Sequence, residues 1–292
     1  MDFSRESLNQ EFPDRQFSLT TKRGTLKIGK GHELALIAGP CVVESEELIM
    51  AVAKRLVDIA DHLGIGLIFK SSYEKDNRGS EKNYRGPGAE DGLKILKKVR
   101  DTYGIPVLSD IHREEDVNLS AEYLDVLQIP AYLCQQTGLV LACGKTGKAV
   151  NVKKGQFLAP ENMKGVLNKL RSVGAKNVLL TERGASFGYN RLVSDIRSIP
   201  IMQLCGAPVV YDSTHIIRLY GIPSSDPKGG EPFFVPHLTK AAVAAGTDCL
   251  FLETHPTPNT ALCDGTSMLQ LDLLEPLMKQ CLAISKALGR PN

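Results

Sequence analysis

The chain has 292 residues, of which 42% are hydrophobic and 23% charged, an ordinary globular composition. Its formal net charge of +2 excludes a general polyanion-binding surface, so any anion site has to be made locally. Seven cysteines, at 41, 134, 143, 205, 249, 263 and 281, form an odd set without a Cys-x-x-Cys spacing, which argues against a disulfide framework or a zinc-finger module.

The start, MDFSRESLNQEFPDRQ, is polar, and no apolar run approaches the length of a membrane span. A soluble, reduced, cytoplasmic protein is expected, with no membrane partner. Alternation over residues 17–32 about Arg23-Gly24 predicts a β-hairpin. Eight short apolar runs come after it: 34–38, 66–70, 106–110, 125–129, 148–153, 177–183, 208–213 and 249–254. Stretches with helical spacing lie between them, as at 46–64, 92–104 and 163–174, and the tail at 271–289 reads as the last helix. Continuous apolar strands alternating with helices imply a parallel sheet covered by helices. Eight units in this length predict an α/β fold of the (β/α)8, or TIM-barrel, kind, with a doubly wound open sheet as the rival. No linker or repeat divides the chain. One barrel domain over 1–292 is expected, with 1–32 as an N-terminal extension and hairpin. GLVLACGKT (138–146) has five residues between Gly138 and Gly144, where a phosphate-binding loop needs four, and reads as a helix end and turn. The basic run 145–155 lacks the interleaved aromatics of a nucleic-acid surface, so no nucleic-acid partner is expected.

In such a barrel the chemistry sits at the C-terminal strand ends. The polar residues there are Cys41, Lys70, Asp110, Gln128, Lys153, Arg183, His215 and Glu253. Lys70, Lys153 and Arg183 converge on one mouth in this reading. Left unpaired, they repel one another and depress the lysine pKa values, which calls for a dense anion. Pairing with Asp110 and Glu182 is the structural alternative. Cys41, His215, Glu253 and Asp264 offer thiolate, imidazole and carboxylate, a set suited to Zn, Fe, Mn or Co. His112 and His255 also lie near strand ends, and spacing alone does not choose the ligands.

Several motifs are long and specific: KSSYEKDNRGS (70–80), YRGPG (84–88), DIH (110–112), QIPAYLCQQTGL (128–139), NVKKGQFLAP (151–160), TERGASFGYN (181–190), YDSTH (211–215) and ETHP (253–256). On these the chain resembles the 3-deoxy-D-manno-octulosonate 8-phosphate synthases, from about Leu34 to the last helix. The resemblance implies a cytoplasmic, commonly tetrameric transferase of lipopolysaccharide biosynthesis. It condenses phosphoenolpyruvate with arabinose 5-phosphate and water and releases phosphate. It also implies roles. Lys70, Ser72, Lys153 and Arg183 hold phosphoenolpyruvate. Lys75 and Asn77 meet the aldose near its reactive end, and Arg78 takes its phosphate. Asp110 and Gln128 support the site. Lys70, Lys75, Asp110, Lys153, Arg183 and His215 are the catalytic set, with Asp264 also beside the substrate. The strand-one cysteine places the chain with the metal-dependent class, with Cys41, His215, Glu253 and Asp264 as ligands. The triplet Cys263-Asp264-Gly265 is more usual in the metal-free class. Gly79 and Gln135 stand where the family carries serine or threonine and arginine. Arg218 and Lys228 are new cations nearby. These departures raise a different aldose as an alternative acceptor. A heptulosonate 7-phosphate synthase and a non-catalytic barrel complete the alternatives.

Overall fold

Residues 1, 3–4, 11–186, 190–223 and 226–291 are described in a computed structural model. Parts of the polar N-terminal segment (2 and 5–10) and residues 187–189 of the 181–190 motif lie outside the described residues. The predicted alternation forms the hairpin of β1 (Gln16–Thr21) and β2 (Gly24–Gly29), with Phe17 opposite Ile28 and Leu19 opposite Leu26. Then come β3 (Ala35–Gly39) and α1 (Glu46–Leu63). Ser45 caps α1 by accepting from the Leu48 N–H at 3.1 Å, Glu46 and Glu47 sit in its first turn, and Gly64 closes it at φ 67°. The alternation continues through β4 (Leu67–Lys70), α2 (Ala89–Tyr103), β5 (Val107–Asp110), α3 (Asp116–Tyr123), β6 (Val126–Ile129), α4 (Thr137–Lys145), β7 (Ala149–Lys153), α5 (Met163–Ser172) and β8 (Val178–Glu182). A two-residue ladder, β9 (Ala185–Ser186) with β10 (Leu192–Val193), precedes α6 (Ser198–Gln203) and β11 (Val209–Asp212). The chain ends with α7 (Val235–Ala244), β12 (Cys249–His255), β13 (Leu269–Gln270) and α8 (Leu274–Ala287).

The eight long strands pair in parallel from β3 through β8 to β11, and β11–β12 and β12–β3 close the ring, so the open-sheet rival is excluded. All eight predicted runs hold to within a residue or two. The 138–146 stretch, read from sequence as a helix end and turn, is helical from its start through Lys145. The tail helix starts later than predicted because Leu271–Leu273 form a 3-10 turn, and Pro276 suits the first turn of α8.

Two apolar layers result. The outer layer packs strands against helices. The inner layer fills the barrel with Ile37, Ile68, Leu108, Val126, Leu179, Val210 and Phe251, and the hairpin pushes Phe17 and Ile28 into it from below. The bottom is therefore plugged, and Phe251 forms the apolar floor of the opposite mouth. No helix among the described residues is long and apolar enough to cross a membrane.

Candidate active site

Gly39 brings β3 against β4. Its φ of 155° and the Lys70 carbonyl beside it leave no room for a Cβ, so only glycine allows the approach. Lys70 Nζ consequently donates to the Cys41 carbonyl at 2.9 Å, and it also donates to Glu253 Oε1. Lys153 Nζ lies 2.6 Å from Asp212 Oδ2 and 4.1 Å from the centroid of the Phe251 ring, while Lys70 Nζ lies 5.7 Å from the same ring. Arg183 is buried and donates to the Tyr220 hydroxyl at 3.0 Å; its Nε has no acceptor among the described residues.

The lysines are thus not unpaired, contrary to the expectation from sequence. Each strand-end lysine is held by a carboxylate from the next strand but one, Glu253 or Asp212, neither of them the partner named from sequence. Those named partners bind other cations: Asp110 takes Lys75 at 3.1 Å, and Glu182 lies 3.6 Å from Lys154. Burial lowers the Lys153 pKa against the pull of Asp212 and Glu253. Lys75 goes the other way: burial disfavours its charge, but Cys41, Asp110 and Glu253 outweigh it and hold the ammonium well above its ordinary value. For Asp110, the lysines Lys75 and Lys70 overcome burial and keep the carboxyl well below the usual range.

Asp110 also heads a chain of buried hydrogen bonds across the barrel. It accepts from Ser72 Oγ at 2.6 Å and from Gln128 Nε2 at 2.6 Å. Gln128 accepts from Asn151 at 2.8 Å, and Asn151 accepts from Thr181 at 2.7 Å. The chain fixes the strand ends relative to one another.

The soft and hard donors gather on the β3–β12 side. Sulfur and oxygen atoms of Cys41, Cys263 and Asp264 lie within 4.8 Å of one another, as do the donor atoms of His215, Glu253 and Asp264. Ligand atoms of one zinc-sized ion are at most ~4.6 Å apart, so both sets have the right span. Glu253 Oε2 is buried, accepts no hydrogen bond among the described residues, and lies 3.5 Å from His215 Nε2. An orphaned carboxylate oxygen next to a ring nitrogen fits a cation better than it fits an empty core. His215 Nδ1 lies 2.8 Å from Asp212 Oδ2 and 3.3 Å from Lys153 Nζ; with the ring proton on Nδ1, shared with Asp212, the Nε2 lone pair is left for an ion. Asp264 adopts φ 48°, a left-handed conformation that aspartate tolerates, and its carboxyl is held below the ordinary value by Arg218 and, more weakly, His215 and Lys75, against burial.

The DAHP synthetase I family model matches residues 13–288. Curated 2-dehydro-3-deoxyphosphooctonate aldolases from Citrifermentans bemidjiense and Trichlorobacter lovleyi are each 54% identical over 261 residues, covering 89% of this chain and 95% and 96% of theirs. The aldolase of that name from Syntrophotalea carbinolica is 51% identical over 265 residues, 91% of this chain. The chain belongs to the DAHP synthetase I family, among its 2-dehydro-3-deoxyphosphooctonate aldolases. That name and octulosonate 8-phosphate synthase denote one enzyme family, the one the motifs resembled.

Within this aldolase the candidate residues divide into those gathered and those apart. Lys70, Ser72, Lys75, Asp110, Gln128, Lys153, His215 and Glu253 share one buried network at the mouth. Cys41 and Asp264 lie beside it, with Cys41 Sγ 3.6 Å from Asp264 Oδ2. Arg78 is turned inward, its Nη1 2.9 Å from Cys263 Sγ and 3.8 Å from Asp264 Oδ1, and Asn77 is exposed. Arg218 points to Asp264 at 3.3 Å, while Gly79, Gln135 and Lys228 are exposed. His112 Nε2 donates to the Glu74 carbonyl at 2.9 Å, and His255 Nε2 lies 3.8 Å from Glu44, so neither joins the donor groups. Sequence reasoning misses Asp212 and Cys263. Asp212 sits one residue before the serine that ends its apolar run, where His215 is the more conspicuous group. Cys263 reads as one more buried thiol.

Proposed function

We propose that this aldolase, acting as one barrel domain, joins phosphoenolpyruvate to arabinose 5-phosphate, consumes water, and gives 3-deoxy-D-manno-octulosonate 8-phosphate and phosphate. The observation that carries the reading is the meeting of Lys70 and Lys153 over the Phe251 floor, with Arg183, whose Nε has no acceptor among the described residues, at the end of the β8 strand. A small ester bearing phosphate and carboxylate matches that cluster. Lys70, Ser72, Lys153 and Arg183 hold it in this reading. The apolar floor keeps water from its lower face.

The enol carbon attacks the aldose aldehyde, and the alkoxide that develops is met by Lys75, whose raised pKa keeps it an ammonium at neutral pH. Asn77 orients the aldose, and Arg78 takes its phosphate. Water adds at the adjacent carbon, and the resulting tetrahedral centre expels phosphate, so no Schiff base forms. Asp110 and Gln128 keep Ser72 and Lys75 in position. Cys41, His215, Glu253 and Asp264 hold a divalent Zn, Fe, Mn or Co ion, which supplies Lewis-acid polarisation of a substrate or water oxygen. We assign the enzyme to the cytoplasm, as a homotetramer feeding lipopolysaccharide biosynthesis.

Phosphate release from phosphoenolpyruvate, measured on addition of arabinose 5-phosphate and a panel of other aldoses, tests the reading. Arabinose 5-phosphate is expected to give the highest kcat/KM. No turnover in metal-replete protein refutes it.

A further inference from the structure

We infer that Cys263 is a second thiolate ligand of the ion at the barrel mouth, giving that ion two sulfurs where the motifs imply one. The inference rests on the metal reading above and adds a residue to it.

Cys41 Sγ and Cys263 Sγ lie 3.1 Å apart, both thiols are almost wholly buried, and Asp264 completes a three-donor group with them. Two thiolates on one ion stand roughly 3.8 Å apart, so the pair needs to open by about 0.7 Å to admit it, and with His215, Glu253 and Asp264 the ion has up to five protein donors. The other five cysteines are buried too, yet none of them joins a donor group among the described residues. Burial alone therefore does not account for the pairing. Asp264 belongs to both donor groups and so links the two sulfurs to His215 and Glu253.

Cations line the cluster on several sides: Arg78 Nη1 donates to Cys263 Sγ at 2.9 Å, Arg218 lies 3.3 Å from Asp264 Oδ1, and Lys70 donates to Glu253 Oε1. Two sulfurs bias the site toward soft or borderline ions such as zinc and against manganese.

The test strips the full-length protein with a chelator, loads Cd(II) under a phosphine reductant, and reads the ultraviolet thiolate-to-cadmium charge-transfer band. Elemental analysis fixes the stoichiometry. Cys41→Ser and Cys263→Ser are each expected to show about half the wild-type band per bound ion, and the double variant none. Cys263→Ala is a second variant should serine disturb this buried position. A full band in both Cys263 variants, with none in Cys41→Ser, overturns the second thiolate and leaves the single-thiolate site standing. No band in the wild-type protein overturns both.

Discussion

Replacing Asp212 by asparagine keeps the side-chain volume and leaves Oδ1 to accept from the Thr214 and His215 N–H groups, now at 3.1 and 3.0 Å. What is lost is the charge on Oδ2, which lies 2.6 Å from Lys153 Nζ and 2.8 Å from His215 Nδ1. Asp212 is fully buried and Lys153 nearly so, so the lysine loses its nearest counter-charge with no water to replace it. Breaking such a pair costs about 3–5 kcal/mol. The lower end applies here, because burial already lowers the Lys153 pKa and the lysine can shed its proton. His215 loses the acceptor that fixes its ring and tautomer, and a change of that kind costs roughly 10–100-fold in metal affinity. Denaturant unfolding of the metal-free protein reads the first effect, calorimetric titration with zinc the second. The KM for phosphoenolpyruvate is expected to rise with them. An Asp212→Asn protein as stable as its parent, with zinc affinity within about twofold of it, refutes the reasoning.

Chelation, or Cys41→Ala, is expected to abolish activity; adding a divalent ion restores the wild-type protein only, and full activity in excess EDTA rejects the metal assignment. Cys41→Asn tests whether an amide at that position supports turnover without an ion. Arg183→Lys removes a planar, two-pronged donor and is expected to cost about 1.5–3 kcal/mol, roughly 10–100-fold in kcat/KM for phosphoenolpyruvate. An unchanged kcat/KM removes Arg183 from the anion site. Because the Lys153 pKa lies below the ordinary 10.5, its charge is lost as pH rises through that lowered value. The KM for phosphoenolpyruvate therefore climbs at alkaline pH, and Lys153→Arg, which stays charged, should flatten the climb. Asp110 has the opposite sign: its folded pKa lies well below 3.8, so its contribution to stability is complete above 3.8 and fades as the pH falls through the folded value. Thermal melts of Asp110→Asn below pH 4 should show a shallower acid loss than the parent; equal slopes count against the Asp110 pairing.

The barrel was legible because its strands are buried on both faces and read as unbroken apolar runs, while each helix carries a single apolar stripe. The plug was only half legible. Alternation revealed the hairpin, but nothing local shows that Phe17 and Ile28 enter the barrel floor, since that depends on where the ring closes. At the site, residue type and strand-end position located the cations and most donors. They did not fix partners. Lys70 to Glu253 spans 183 residues and joins β4 to β12 across β3, which lies between them. A signal for the polar ladder was present in the sequence: Asn151 interrupts the apolar run of β7, and a buried amide there needs a partner. Cys263 gave no such signal, because a buried thiol is an ordinary core residue until another sulfur lies beside it.

The pairing also explains why the two halves of the mouth cannot be treated separately. Glu253 gives Oε1 to Lys70, on the side of the proposed anion site, and keeps Oε2 near His215 Nε2, on the side of the proposed metal site. Asp212 divides its Oδ2 between Lys153 and His215 in the same way. In a buried site these charges interact strongly enough that neither carboxylate can change partner without altering the field at the other. An anion that draws Lys70 away frees Glu253 for a cation, and a cation on Glu253 frees Lys70 for an anion. The shared wall thus keeps the resting cluster close to charge balance while leaving both halves ready to exchange a protein partner for a ligand.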